Sequence, residues 1–318
     1  MQIKKIKVSN FKSFDEAEIE LERFNVLIGA NASGKSNFIN ILQFLKDIAE
    51  YGLDNAISMQ GGVDYIRNIN IGASKNLSIE LHIDTKDKPI KTLGFGKEDD
   101  KKVIFISAHE YLYRFSIEFY KNKSGYRRIA EERLEANCDF AESERESGKI
   151  KDKGKIGEGK LIFVNNKGRI KCELEPKDTP ISMEDIIHPF FYKKRFLEQK
   201  VPPKELFIMT PIFFTPITFF ITDFFSNLSL YDFDPKLSKK ATLITGKTEL
   251  EHDGSNLAIA LKNILDNEKK AESISNLVKD LLPFIRTFFI TKVSRYLIAR
   301  RFKRSLFRKE ILTRTLYF

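Results

Sequence analysis

Eight residues constrain this chain more than any others: Gly29 to Ser36, "GANASGKS", set within "ERFNVLIGANASGKSNFINILQFLKDI". The stretch follows the pattern GxxxxGK[ST]. A phosphate chain needs several converging backbone N–H groups, and a glycine-permissive loop running into a helix N-terminus supplies them. Gly29 and Gly34 allow that path, Lys35 reaches the outer phosphates as a point charge, and the Ser36 hydroxyl can hold a bridging magnesium ion. Asn31, Ala32 and Ser33 contribute mainly backbone, and Ala30 and Asn37 complete the candidate set. The flanks fit the same reading. "FNVLI", Phe24 to Ile28, reads as a short apolar strand, and Phe38, Ile41, Leu42, Leu45 and Ile48 then recur at three and four residues, the face of a helix laid on a sheet. Gly52 is its expected terminator. A second glycine–lysine pair, in "ITGKTEL", lacks the leading glycine and reads as a polar turn.

Around this loop the pattern is mostly that of strands. Ile3, Ile6 and Val8, then Ala17, Ile19 and Leu21, alternate with charged residues, as do Leu77, Ile79, Leu81 and Ile83 and later Tyr113, Phe115, Ile117 and Phe119. These are expected to be half-buried strands of an antiparallel sheet. "ESERESGKIKDKGKIGEGK" is poor in apolar residues and is expected as an exposed excursion, and "LIFVNNKGRIKCEL" as a hairpin turning at Asn166, Lys167 and Gly168. In "DGSNLAIALKNILDNEKKAESISNLVKDLLPFI" two apolar stripes predict two helices, one through Leu257, Ala260, Leu261 and Ile264 and one through Ile274, Leu277, Leu281 and Leu282.

Composition removes several classes. With 42% hydrophobic and 31% charged residues among 318, the chain is globular rather than disordered or fibrous. Two cysteines and four histidines give neither a disulfide framework nor zinc spacing, so a reducing cytoplasmic setting is expected and no metal is assigned to His or Cys. The run Leu206 to Thr222, "LFIMTPIFFTPITFFIT", carries Pro211 and Pro216 and reads as a buried or lid-like segment rather than a membrane helix. The net charge of +10 is concentrated from Arg286 to the end, where ten basic side chains stand against one acid, Glu310.

"IKKIKVSNFKSF", a short acidic strand and then "FNVLIGANASGKSNFINIL" resemble the N-terminal lobe of ABC-type ATPases of the RecF, SMC-like and OLD-nuclease group. "YDFDPKLSKKA" followed by "HDGSNLAIALKNIL" is similar to the stand-alone AAA-type members of that group, often met in DNA repair and anti-phage defence. The resemblance covers residues 1 to about 285. It implies an α/β P-loop NTPase fold, the N-terminal lobe of an ABC-type head, with a mixed or antiparallel sheet and an inserted α+β region. The expected divisions are 1–95, 96–250, 251–285 and a basic tail at 286–318. It also implies ATP and magnesium as ligands, a second ATPase head as partner, DNA as a further one, and a place near the phosphates for Lys12.

Three parts implied downstream are not found: an LSGG or SDG-like signature, an apolar strand ending in Asp-Glu, and a switch histidine. The nearest imitation of the second is Asp223 in "TFFITDFF", and His252 in "HDGSNL" reads as an ordinary polar residue. The tail is expected to be either a basic arm or an abnormal terminus of a longer gene. Two functions stand: an ATP-binding head without a complete hydrolytic site, or a non-enzymatic, nucleotide-dependent partner subunit.

Overall fold

The structure is a computed structural model describing residues 1–87, 89–93, 102–120, 127–146, 149–177, 201–209, 216–243, 248–293 and 296–303. It divides into two compact units, Met1–Leu228 and Ser229–Phe318.

In the first unit, eight strands form one sheet: β1 (Gln2–Phe11), β2 (Phe14–Glu20), β3 (Leu77–Asp84), β4 (Ile90–Leu93), β5 (Lys102–Phe119), β6 (Arg127–Glu146), β7 (Lys149–Asn166) and β8 (Arg169–Glu175). Their order is β2-β1-β3-β5-β6-β7-β8, with β4 alongside β5. Every ladder is antiparallel. Register aligns the alternating apolar positions into rows: Ile6 faces Leu81, Leu81 faces Tyr113, Tyr113 faces Leu134, and Leu134 faces Phe163. All five are fully buried. A one-residue slip of any strand would turn its share of the row to water, so burial itself holds the register.

Helix α1 (Lys35–Tyr51) covers this face with Phe38, Ile41, Phe44, Leu45 and Ile48. Its Phe44 ring lies 5.9 Å from Phe11 of β1. Two short helices, α2 (Leu53–Met59) and α3 (Val63–Ile66), lead from α1 towards β3. Helix α4 (Pro216–Ser226) packs beside α1, its Phe225 ring 5.9 Å from Tyr113, and Lys46 donates to the Leu228 carbonyl at 2.8 Å. Of the apolar run Leu206 to Thr222, Leu206, Phe207, Ile208 and Ile221 are buried, while 210–215 lie outside the described residues. Among the described residues no helix is long and apolar enough to cross a membrane.

The expected exposed excursion takes the form of a paired arm. From Glu142 to Lys160 its two strands continue β6 and β7, cross-linked by Lys153–Glu144 and Lys155–Asp139, each at 2.9 Å. These half-exposed pairs reach diagonally across the ladder and add modestly to the backbone pairing. The hairpin at Lys167 and Gly168 forms as expected, with φ of 52° and 89°.

The second unit holds β9 (Thr242–Leu243), β10 (Ile285–Val293) and β11 (Tyr296–Lys303) in the order β10-β11-β9, with helices α5 (Leu257–Leu265) and α6 (Glu268–Leu281) where two were expected, although α5 buries Ala258 and Ile259 rather than its predicted stripe and Leu277, Leu281 and Leu282 are exposed. Asn267 caps α6 by accepting from the Lys270 amide at 3.1 Å. The first part of the basic tail is thus a β-hairpin, and 304–318 lie outside the described residues.

One acid interrupts the apolar rows. Glu132 is fully buried and accepts from the Tyr113 hydroxyl at 2.9 Å and from the Phe207 and Ile208 amides at 2.6 and 3.3 Å. It fastens the 207–209 turn to the sheet. Burial outweighs these bonds and pushes its carboxyl up to about 7. The folded chain therefore holds this proton more tightly than the unfolded chain, and the associated stability is lost as pH rises from about 4.5 through about 7. Thermal unfolding should show a loss of up to about 3 kcal/mol across that window. Glu132→Gln should flatten it; an unchanged pH profile in that variant would remove Glu132 as its source.

Candidate functional site

The glycine loop joins an extended segment to α1, and the turn between β1 and β2 lies against it. Phe14, the first residue of β2, sets its ring where a Cβ on Gly34 would come within 3.4 Å, and the Ser13 hydroxyl accepts from Asn37 Nδ2 at 2.7 Å. The β1–β2 turn is anchored from its other side. Its Lys12 amide donates to the Ile66 carbonyl at 2.8 Å, and the buried Asn10 donates to the carbonyls of Gly72 and Lys75 at 3.0 and 2.6 Å while accepting from the Asn68 amide. Asn10 and Lys12 both take positive φ, 53° and 47°. Partial burial lowers the Lys12 ammonium from its ordinary value.

Within the loop, Gly34 takes φ 93°, and Phe38 donates to its carbonyl at 2.9 Å to open α1. No side chain caps that helix start, so its first amides remain open to an acceptor from outside. A Cβ on Gly29 would sit 2.8 Å from Ser33 Oγ, a hydroxyl that would have to turn away. Lys35 curls back over the loop, donating to the carbonyls of Gly29 and Ala30 at 2.8 and 2.6 Å. Among the described residues no carboxylate pairs with it. Gly29, Ala30, Asn31, Ala32, Ser33 and Ser36 are exposed, while Gly34, Lys35 and Asn37 are half-buried. The arrangement suits a polyanion: open amides at a helix start, one ammonium, and no acid beside it. Phosphates of a nucleotide fit this donor set, with Lys35 exchanging carbonyl partners for phosphate oxygens and Ser36 offering one hydroxyl to a magnesium ion.

The segment that feeds the loop departs from expectation. Phe24–Ile28 enters no ladder among the described residues, and Phe24, Val26, Leu27 and Ile28 are 83%, 63%, 45% and 89% exposed. A strand is defined by its neighbours, and none is provided here. Asp223 is likewise not at the end of a strand: it lies on α4, so the layout of an apolar strand closing on a metal-binding acid does not exist at that position. The Gly246–Lys247 pair lies outside the described residues. His252 spends its carbonyl on the Asp232 amide at 2.8 Å, within the second unit. Ser13, Asn10 and Phe14 were not singled out in the sequence. Their only sign there is the polar "SNFKS" between apolar residues, which does not disclose positive φ or a long-range bond.

Comparison with known proteins agrees with this geometry. Residues 24–189, just over half of the chain, match the family described as "AAA domain, putative AbiEii toxin, Type IV TA system". Endonuclease GajA of Bacillus cereus (strain VD045) is 31% identical over 108 residues, 33% of this chain and 16% of that protein. Structural maintenance of chromosomes protein 2 of Gallus gallus is 32% identical over 120 residues, 35% of this chain and 10% of that protein. The matched part thus spans under a fifth of either relative's length. With its glycine loop seated between an antiparallel sheet and α1, the chain belongs to this family of AAA domains, as an ABC/AAA-type ATPase of the SMC-like and OLD group.

Proposed function

We propose that the chain is an ATP-binding head that holds Mg-ATP in its glycine loop and turns it over only when further polypeptide completes the site. The geometry of Gly29–Ser36 carries the binding half of the reading: an uncapped helix start, a glycine at positive φ where a side chain would be strained, and an ammonium bonded only to carbonyls and a hydroxyl. Lys35 would lie on the outer phosphates, Ser36 on magnesium, and the amides from Asn31 to Asn37 around the phosphate chain. Lys12 would add a weakened ammonium from the adjoining turn. Partial burial lowers its pKa, and an anion beside it would offset that desolvation.

The exposed Phe24–Ile28 carries the second half. Apolar residues on both faces of a strand are the pattern of a sheet interior, so a head that leaves them in water is built to receive more structure there. Hydrolysis also needs a group to place water and charge to stabilise the transferring phosphoryl, and a phosphate loop supplies only part of that. A second ATPase head as partner, DNA as a further partner, and a role in anti-phage defence or DNA repair extend this reading. The names of the two relatives, an endonuclease and a chromosome-maintenance protein, support the DNA extension.

Equilibrium binding of Mg-ATP tests the first half. Lys35→Ala should weaken it about a hundredfold, the loss of charge-assisted bonds to phosphate. Binding unaffected by Lys35→Ala would sink the assignment. For the second half, turnover by the isolated chain should be far below one per second, and a rate typical of complete ATPases, abolished in Lys35→Ala, would contradict it. Gly34→Ala, forced to φ 93° against Phe14, should cost about 1 kcal/mol in thermal unfolding and also weaken Mg-ATP binding; full affinity would show that the loop tolerates a side chain there.

A further inference from the structure

The β1–β2 turn meets the start of α1 through a side chain whose hydrogen-bonding capacity is only half used. Phe11 pairs with Phe14 across this hairpin, which leaves Lys12 and Ser13 as its tip. Ser13 Oγ accepts from Asn37 Nδ2 at 2.7 Å. An amide nitrogen can only donate, so the hydroxyl is the acceptor in that bond and its own hydrogen is free for another partner. Among the described residues no acceptor takes it. Ser13 is exposed, and its Oγ lies 3.6 Å from where a Cβ on Gly34 would stand, beside the uncapped helix start. A free O–H thus stands next to open amides, and both kinds of donor suit one acceptor.

The turn fixes that hydroxyl before any ligand arrives. On one side, buried Asn10 is tied to the backbone of Asn68, Gly72 and Lys75, and the Lys12 amide to the Ile66 carbonyl. On the other, the Phe14 ring lies against Gly34. Positive φ at both Asn10 and Lys12 is kept by these bonds, so the tip has one conformation rather than several. A donor ordered in advance loses little freedom when it binds.

The surroundings select an anion. Lys12 precedes Ser13, and the two acids that follow, Asp15 and Glu16, are each paired with Lys75, at 3.5 and 3.6 Å. An anionic oxygen is the acceptor that the Ser13 O–H lacks, and a charged acceptor makes the stronger bond. Resting on the assignment of the glycine loop to a nucleotide, we propose that Ser13 is a further binding residue of that site, donating its hydroxyl to the phosphate chain while Asn37 orients it.

The test is calorimetric titration of Mg-ATP and of Mg-tripolyphosphate into the full chain and its Ser13→Ala, Ser13→Thr and Lys35→Ala variants. Ser13→Ala should weaken both ligands by about the same factor, roughly tenfold, the scale of one hydrogen bond to a charged group. Ser13→Thr, which keeps the hydroxyl, should stay within about twofold of the parent, and the unliganded Ser13→Ala chain should unfold at the parent's temperature. Unchanged affinity in Ser13→Ala, with binding still lost in Lys35→Ala, would overturn this proposal and leave the nucleotide site standing. A loss seen with Mg-ATP and not with Mg-tripolyphosphate would also overturn it, by moving the contact to sugar or base. Equal losses in Ser13→Ala and Ser13→Thr would reduce the Asn37 bond to a staple between turn and helix. A parent chain that binds neither ligand would remove the nucleotide reading and this proposal with it. Should Ser13→Ala not keep the parent's unfolding transition, Ser13→Cys, a weak donor of similar size, replaces it with the same outcomes.

Discussion

Helix α1 shares one buried core with β1, β3 and β5, its Phe44 ring set against Phe11 of β1, and the placement of everything else near the glycine loop follows from that packing. Ile41, Phe44, Leu45 and Ile48 are at most 1% exposed, and each such side chain contributes about 1.5–3 kcal/mol by leaving water. This is far more than the propensity of a helix whose first turn has neither a side-chain cap nor an acid. Packing at the middle of α1 thus holds in place an N-terminus that is poor by itself. That is the condition for a phosphate site, because amides satisfied by a cap could not serve an anion.

The same anchoring reaches the neighbouring turn. Phe11 meets Phe44 just before β1 ends, so the chain reverses through Lys12 and Ser13 beside the first turn of α1. The positive φ at Asn10 and Lys12 is strain that the surrounding bonds over-determine: Asn10 alone makes three, to Gly72, Lys75 and Asn68. Sheet, helix and 66–75 segment therefore form one frame around the loop. What the frame does not cover is the approach to it, where Phe24 to Ile28 runs apolar on both faces into solvent. The head is rigid behind its phosphate loop and open in front.

Much of this is legible in the sequence, and the exceptions share a cause. Helix α1 was readable from Phe38, Ile41, Leu45 and Ile48 because a helix makes its hydrogen bonds within itself. β3 and β5 were readable because their alternation is strict, and the Lys167–Gly168 turn because its backbone demands such residues. Phe24–Ile28 carries an equally strong strand pattern and forms no ladder among the described residues, since pairing depends on a partner elsewhere that local pattern cannot supply. The 142–160 arm is exposed, as its charges imply, but its pairing was not legible: it lacks apolar alternation, and its two strands run antiparallel with bulges that leave Lys153 and Ile156 without an opposite residue. Asp223 was read against a strand–acid layout and lies on a helix, because a short apolar run does not distinguish the two. Ser13 and Asn10 act through bonds that span 24 to 65 positions, and no local signal marks those.

The central claim is that the extended apolar segment entering the phosphate loop stays uncovered until further polypeptide joins it. Amide hydrogen exchange on the isolated chain, read for residues 24–28 against those of β1 and the middle of α1, tests it directly. Exchange at 24–28 close to the rate of an unstructured peptide, with β1 and α1 strongly protected, is the expected result. Protection of 24–28 equal to that of β1 would mean that this chain already supplies the missing neighbours, and the account of an open head would be wrong.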